Sequence, residues 1–365
     1  MYNGVTVKKV ALVYIISPKY KKINRSFLKF FICVVTLFKQ ILFYLSILFS
    51  FCPISIAALH DLHKKFSNPL YFFLLKRGII YSNHDLLNQF DGGKSREENI
   101  KKSILSKGSA LYSEVEFLLR QELRETPVYN SIIEAVALGN TKLNEISIKS
   151  LIDDTSKTSV YLKNLIELGV VEREFSVSES VKEKENTNKG LYRITDNFFR
   201  FWYAFVFTNI SELEGGDVDG VYKYSIEPQL HEFAAMPFED ICREYVRELQ
   251  KAGKLPFRYA KMGRWWGKTT VRRGDEAELA DTEIDLLAVS KQFDKFIVGE
   301  CKFKGKPLRY SEYLDTITKL SDRKDKAEFR YYLFSESGFD EKNIEQARCD
   351  SRLVLCGLDE IVGYR

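Results

Sequence analysis

Two short apolar runs constrain this chain more than any other feature: Glu283-Ile284-Asp285-Leu286-Leu287-Ala288-Val289 and Phe296-Ile297-Val298-Gly299-Glu300-Cys301-Lys302. Each is rich in Val, Ile and Leu and short enough to be a buried strand. The polar stretch 290–295 between them suits a hairpin connection. Folding about the middle of that turn puts Asp285 opposite Glu300. Strand residues two apart share a face, so Glu300 and Lys302 point the same way. Two carboxylates and one ammonium then meet on an otherwise apolar sheet, where buried charges must pair or hold a metal. The three residues read either as a structural salt bridge or as a site.

An acid followed about fifteen residues on by an acid-any-Lys triplet resembles the PD-(D/E)XK nuclease superfamily. The resemblance implies that Asp285 and Glu300 hold Mg²⁺ (or Mn²⁺), an oxygen-seeking cation that keeps several waters. It implies that the backbone carbonyl of Cys301 adds a ligand. Lys302 would position or help deprotonate the attacking water and offset charge on the phosphorane. The first helix of that fold commonly adds an acid, and Glu239 in Phe238-Glu239-Asp240-Ile241 is the residue so placed. Glu239 also stands one turn from Arg243, which reads as a surface ion pair.

Charge divides the chain. Residues 1–90 carry twelve Lys/Arg against two Asp; the remainder carries 43 Lys/Arg against 48 Asp/Glu. The overall +5 therefore belongs to the N-terminal segment. That segment contains an uncharged run, 40–59 (QILFYLSILFSFCPISIAAL), long enough to cross a bilayer as a helix. Upstream lysines favour a cytoplasmic N-terminus, but Pro53 interrupts the run and Lys64, Lys65, Lys76 and Arg77 spoil the charge asymmetry. The alternatives are a membrane anchor and a buried or unrelated segment. The six cysteines (33, 52, 242, 301, 349 and 356) form no CxxC pair, which fits a reducing cytoplasm.

From Asp91 the pattern is that of a globular protein. Ser95 with Glu98 makes a capping box, and 110–125 is a charged amphipathic helix. Helices follow over 128–138 and 141–147, and a third begins at Asp154-Thr155-Ser156 and stops at Gly169. Strands over 170–175 and 190–194, separated by a polar insert, complete a winged helix-turn-helix. The third helix has an apolar face of Val160, Leu162, Leu165, Ile166 and Leu168. Ser156, Lys157, Ser159 and Lys163 lie on its exposed side and would contact DNA, although winged helices also bind proteins. The aromatic run Phe198–Phe207 reads as a core helix rather than a base-stacking platform, and 211–219 as a flexible acidic loop.

Gly263-Arg264-Trp265-Trp266-Gly267-Lys268-Thr269 has three residues between its glycines where a phosphate-binding loop needs four, so it is rejected as a nucleotide site. It reads as a loop whose Arg264 and Lys268 face a nucleic-acid backbone or, equally, whose Trp265 and Trp266 pack in the core. Beyond Lys302 a helix, strand, helix and strand give an α/β layout with a mixed sheet.

Tyr129, Gly190-Leu191-Tyr192-Arg193-Ile194 through Phe201-Trp202, Phe238-Glu239, Gly263-Arg264-Trp265-Trp266, Glu283-Ile284-Asp285 and Gly299-Glu300-Cys301-Lys302 occur in an order that resembles the C-terminal part of archaeal-type AAA ATPases. In that family an ATP-binding domain precedes a winged helix and a PD-(D/E)XK nuclease-like domain. No GxxxxGK[ST] occurs here, so ATP binding is not expected, and the chain reads as a truncated member. The resulting expectation is α/β overall, with an all-α winged-helix middle and a nuclease-like α/β end. The divisions are 1–90 (atypical), 91–125 (helical remnant), 126–196 (winged helix), 197–229 (aromatic link) and 230–365 (nuclease-like).

Overall fold

The computed structural model describes residues 90–363, except 92, 179–188, 274–275 and 321–326. The expected membrane span 40–59 and most of the polar insert of the winged helix lie outside the described residues. Among the described residues no helix is long and apolar enough to cross a membrane.

The first half is helical. Ser95 caps α1 (Arg96–Ile100) through the expected box: its Oγ accepts from the Glu98 N–H, and Glu98 Oε2 accepts from the Ser95 N–H. The helix widens into a π turn over Lys101–Leu105, and α2 (Glu114–Glu122) follows. Then come α3 (Thr126–Ala137), α4 (Leu143–Lys149) and α5 (Thr155–Glu167), the last capped by Asp154, whose side chain accepts from the Ser156 N–H. Gly169, at φ +73°, ends α5 where a side chain would be strained. Strands β1 (Val171–Glu174) and β2 (Leu191–Ile194) pair antiparallel, completing three helices and a hairpin.

On α5 the apolar face is narrower than expected. Leu162 and Leu165 are buried, but Val160 and Ile166 face solvent because Thr158, not Val160, fills the inward position and bonds Ser147 Oγ. The aromatic stretch forms α6 (Asn197–Phe201) and a π turn over Trp202–Val206, and it is core, as expected. Phe198, Phe201, Trp202, Tyr203 and Phe205 are buried in one cluster that runs from Phe90 to Leu230. Trp202 Nε1 donates to the Tyr112 carbonyl and Tyr203 Oη to Asn130 Oδ1, so neither ring buries an unpaired polar group. The acidic stretch 211–219 is not a flexible loop. Its first half is α7 (Ile210–Glu214), with Leu213 buried, Glu214 bonded to Tyr112 Oη and Asp219 ion-paired with Lys101.

After α8 (Leu230–Phe233), the long α9 (Ala235–Lys251) buries Phe238, Ile241, Cys242, Tyr245, Val246 and Leu249, spaced three or four apart. This stripe covers one face of a five-stranded sheet in the order β3-β4-β5-β6-β7. The strands are β3 (Tyr259–Arg273), β4 (Glu276–Ser290), β5 (Lys295–Lys302), β6 (Glu328–Ser335) and β7 (Leu353–Cys356). The first three are antiparallel and the last three parallel, a mixed sheet. The other face packs against α10 (Tyr310–Thr318) and α11 (Glu341–Cys349), and α12 (Leu358–Gly363) closes the described chain. The sequence 263–269 is strand β3, not a loop, and Trp265 is buried in it.

Candidate functional site

The register of β4 with β5 pairs Leu286 with Gly299 and Val289 with Phe296, so the hairpin folds about the expected turn. Gly299 is required here by space: a Cβ would lie 2.8 Å from Leu286 Cβ. Beyond Leu286–Gly299 the ladder stops. On its other side β4 carries an irregularity, because Gly263 pairs Leu287 whereas Trp265 pairs Ile284. Two residues, Asp285 and Leu286, therefore stand opposite Arg264 alone. This is a β-bulge, which bends the strand and re-aims a side chain. The Asp285 carboxylate takes the place of the missing ladder: its Oδ2 accepts from the Cys301 N–H at 2.8 Å. A strand residue turns its N–H and C=O toward the same neighbour, so the Cys301 carbonyl faces this gap too.

Glu300 is buried on the same side as Lys302, which lies 2.7 Å from Glu300 Oε1. Its Oε2 meets Lys319, just past the end of α10, at 2.5 Å and Thr316 of α10 at 3.4 Å. Burial works against the Glu300 charge, but Lys319 and then Lys302 outweigh it and hold the carboxyl below its usual range. At Asp285 burial, then the charge of Glu300, push the carboxyl up, and the Cys301 N–H and the same two lysines do not outweigh them. Two lysines thus decide which acid of the pair keeps the negative charge.

Glu239 approaches from α9 on the other side. Its pairing with Arg243 is no surface contact, since Arg243 is only 4% exposed. The Arg243 Nη1 lies 3.4 Å from Glu239 Oε2 and donates to the Asp285 carbonyl at 2.7 Å, tying α9 to the bulge. Arg264 Nε lies 3.6 Å from the same Glu239 oxygen. Even so, burial and the Asp285 charge push Glu239 up to about 7. Its neighbour Asp240 goes the other way, held low by Arg243 and Arg193 against its burial.

These shifts predict a pH dependence. Glu239 in the folded protein binds its proton more tightly than at its ordinary 4.5, as does Asp285, so stability present below pH 4.5 is lost as pH rises toward 7. The metal-free protein is expected to be less stable, and so to melt at lower temperature, at pH 8 than at pH 5.5, with about 2 kcal/mol of the difference from Glu239. Glu239→Gln removes most of the difference, and equal slopes for variant and wild type in thermal melts would refute it.

The structure brings Glu239, Asp285, Glu300, Cys301 and Lys302 together. It adds Thr316 and Lys319, for which the signal was a polar Thr316 among the buried Tyr313 and Leu320. Among the described residues no three His, Cys, Asp or Glu side chains close around one point. An ion here would be held by two carboxylates and a carbonyl, the set Mg²⁺ takes while keeping its waters, so the residues fit that cation. Ser156, Lys157, Ser159 and Lys163 lie elsewhere, exposed on α5, with Lys163 3.9 Å from Glu167. Lys268 is exposed on β3, whereas Arg264 is mostly buried among carboxylates.

Residues 202–314 match a family described as archaea bacterial proteins of unknown function, DUF234. The match runs from the aromatic stretch into α10 and includes Glu239, Asp285, Glu300 and Lys302; Lys319 falls beyond it. Over 205 residues the chain is 38% identical to the uncharacterized protein MJECL04 of Methanocaldococcus jannaschii, covering 56% of this chain and 42% of that relative. The chain thus spans less than half the length of the curated relative it matches.

Proposed function

We propose that this chain is a DNA-binding protein whose C-terminal domain is a Mg²⁺-dependent phosphodiesterase of the PD-(D/E)XK kind, like the C-terminal domain of archaeal-type ATPases. One observation carries the reading: where β4 and β5 part, the Asp285 carboxylate on the Cys301 N–H lies within the field of Glu300, and Lys302 Nζ is 2.7 Å from Glu300. Clustered buried carboxylates whose charges are pushed apart in this way are a feature of sites that do chemistry as well as of buried ion pairs. Asp285, Glu300 and the Cys301 carbonyl would hold the ion, and Glu239 would complete its surroundings from α9. A Mg²⁺ (or Mn²⁺) bound there supplies a Lewis acid and a more acidic water. Lys302 orients the attacking water and offsets charge that builds on the phosphorus oxygens. The winged helix holds the duplex, mainly by its phosphates.

Incubating the full chain with supercoiled and linear duplex DNA across Mg²⁺ and Mn²⁺ tests this. Metal-dependent strand cleavage is the expected outcome. Duplex binding with no cleavage in either metal would favour a non-catalytic DNA- or protein-binding module, a reading supported by the full lysine pairing of Glu300. The α5 contribution is separable. Lys157→Gln and Lys163→Gln are each expected to weaken duplex binding without regard to sequence. Each should also shallow the slope of log K against log salt by about 0.9. Fluorescence anisotropy over a salt series checks this, and unchanged slopes would place the DNA elsewhere.

A further inference from the structure

The hairpin of the winged helix is fastened to the acid site. The Val177 N–H donates to the Arg264 carbonyl on the edge strand β3 at 2.9 Å, extending the sheet by one backbone contact past β1. Within β1, Glu174 Oε2 lies 3.2 Å from Arg264 Nη1. The same guanidinium stands 3.6 Å from Glu239 Oε2 and 3.7 Å from Glu283 Oε2. A second tie runs through Arg193 of β2, which pairs with Glu172 and lies 3.3 Å from Asp240 on α9. A planar guanidinium binds one carboxylate best when both prongs engage it. Shared among three acids from β1, α9 and β4, Arg264 is committed to none.

We propose that Glu174, a residue of the winged helix, is a positioning residue for the acid site: by engaging Arg264 it keeps that guanidinium from closing on Glu239 and leaves the Glu239 carboxylate open to a divalent cation. The inference rests on the reading of Glu239, Asp285 and Glu300 as cation-binding acids. It makes the winged helix part of the site's supporting structure as well as a DNA-holding module. Groups one step removed from a metal commonly alter its affinity by a factor of ten or more.

The test is Mn²⁺ binding to the full chain, followed by electron paramagnetic resonance at one pH and without DNA. Glu174→Gln is expected to weaken Mn²⁺ binding about tenfold, with Glu174→Asp recovering part of the loss. In an Arg264→Met background the same Glu174→Gln change should have no further effect, because the residue acts through Arg264. Glu172→Gln, on the same strand but paired with Arg193, should bind Mn²⁺ as the wild type does. Melting temperatures of each variant show that the comparison is between folded proteins. Wild-type Mn²⁺ affinity in Glu174→Gln would overturn the proposal. So would a full tenfold loss persisting without Arg264, or an equal loss in Glu172→Gln. Absence of saturable Mn²⁺ binding in the wild type would instead overturn the metal reading, and this inference with it.

Discussion

Asp285→Asn is expected to abolish metal-dependent cleavage, lowering the rate by about 10³-fold or more, while leaving the protein at least as stable as wild type. The two halves have one cause. In the wild type the Asp285 carboxylate is buried and faces Glu300, so its negative charge is disfavoured in the metal-free fold. The Asn side chain keeps an oxygen that can accept from the Cys301 N–H, the bond Asp285 Oδ2 makes at 2.8 Å. It removes only the charge, the part a cation needs and the fold does not. Asp285→Ala separates these effects. It strands the Cys301 N–H in the gap between β4 and β5, which costs about 1–3 kcal/mol. Single-turnover cleavage and urea unfolding on both variants decide the matter. Cleavage by Asp285→Asn at the wild-type rate would remove Asp285 from the chemistry, and an unfolded Asp285→Asn would mean the residue is structural.

The hairpin was legible because burial and pairing are local there. A Val/Ile/Leu run on each side of a polar turn fixes the register, and the register ends at Leu286–Gly299, the pair next to Asp285 and Glu300. The helix ends were legible for the same reason, as caps at Ser95 and Asp154 are short-range chemistry. What resisted reading is set by long-range partners. From Trp265 outward β3 pairs only with β4 and never enters the middle of the sheet, so it lacks the apolar run of a central strand and reads as a loop. The bulge at Asp285 depends on a slip against β3 that no pattern in β4 announces. Lys319 meets Glu300 only because α10 folds back over β5. Val160 and Ile166 are exposed where helical spacing places them inward, because spacing alone cannot tell that Thr158 occupies the inward position.

Removing Arg243 is expected to be the most damaging single change to the domain's stability. Its guanidinium is 4% exposed and serves three partners: Asp240 at 2.6 Å, the Asp285 carbonyl at 2.7 Å and Glu239 at 3.4 Å. Arg243→Met leaves two buried carboxylates short of their countercharge and the bulge carbonyl short of its donor. Breaking one side of a buried pair in this way costs about 3–5 kcal/mol. Arg243→Lys should recover little, because one ammonium cannot reproduce the fork that spans α9 and β4. The loss should depend on pH. Asp240 is held low by Arg243 first and Arg193 second, so without Arg243 its carboxyl climbs back toward the ordinary range. Glu239, already at about 7, keeps its proton still more firmly. At pH 8 Glu239 must then either ionise with only Arg264 beside it or hold its proton against the solvent, and both cost stability, whereas at pH 5.5 Glu239 is neutral with or without Arg243. Urea unfolding at the two pH values should show the smaller penalty in acid, and Glu239→Gln in the Arg243→Met background should recover stability at pH 8 alone. A loss below about 1 kcal/mol, or one equal at both pH values, would show that the arginine is not what holds these acids in the fold.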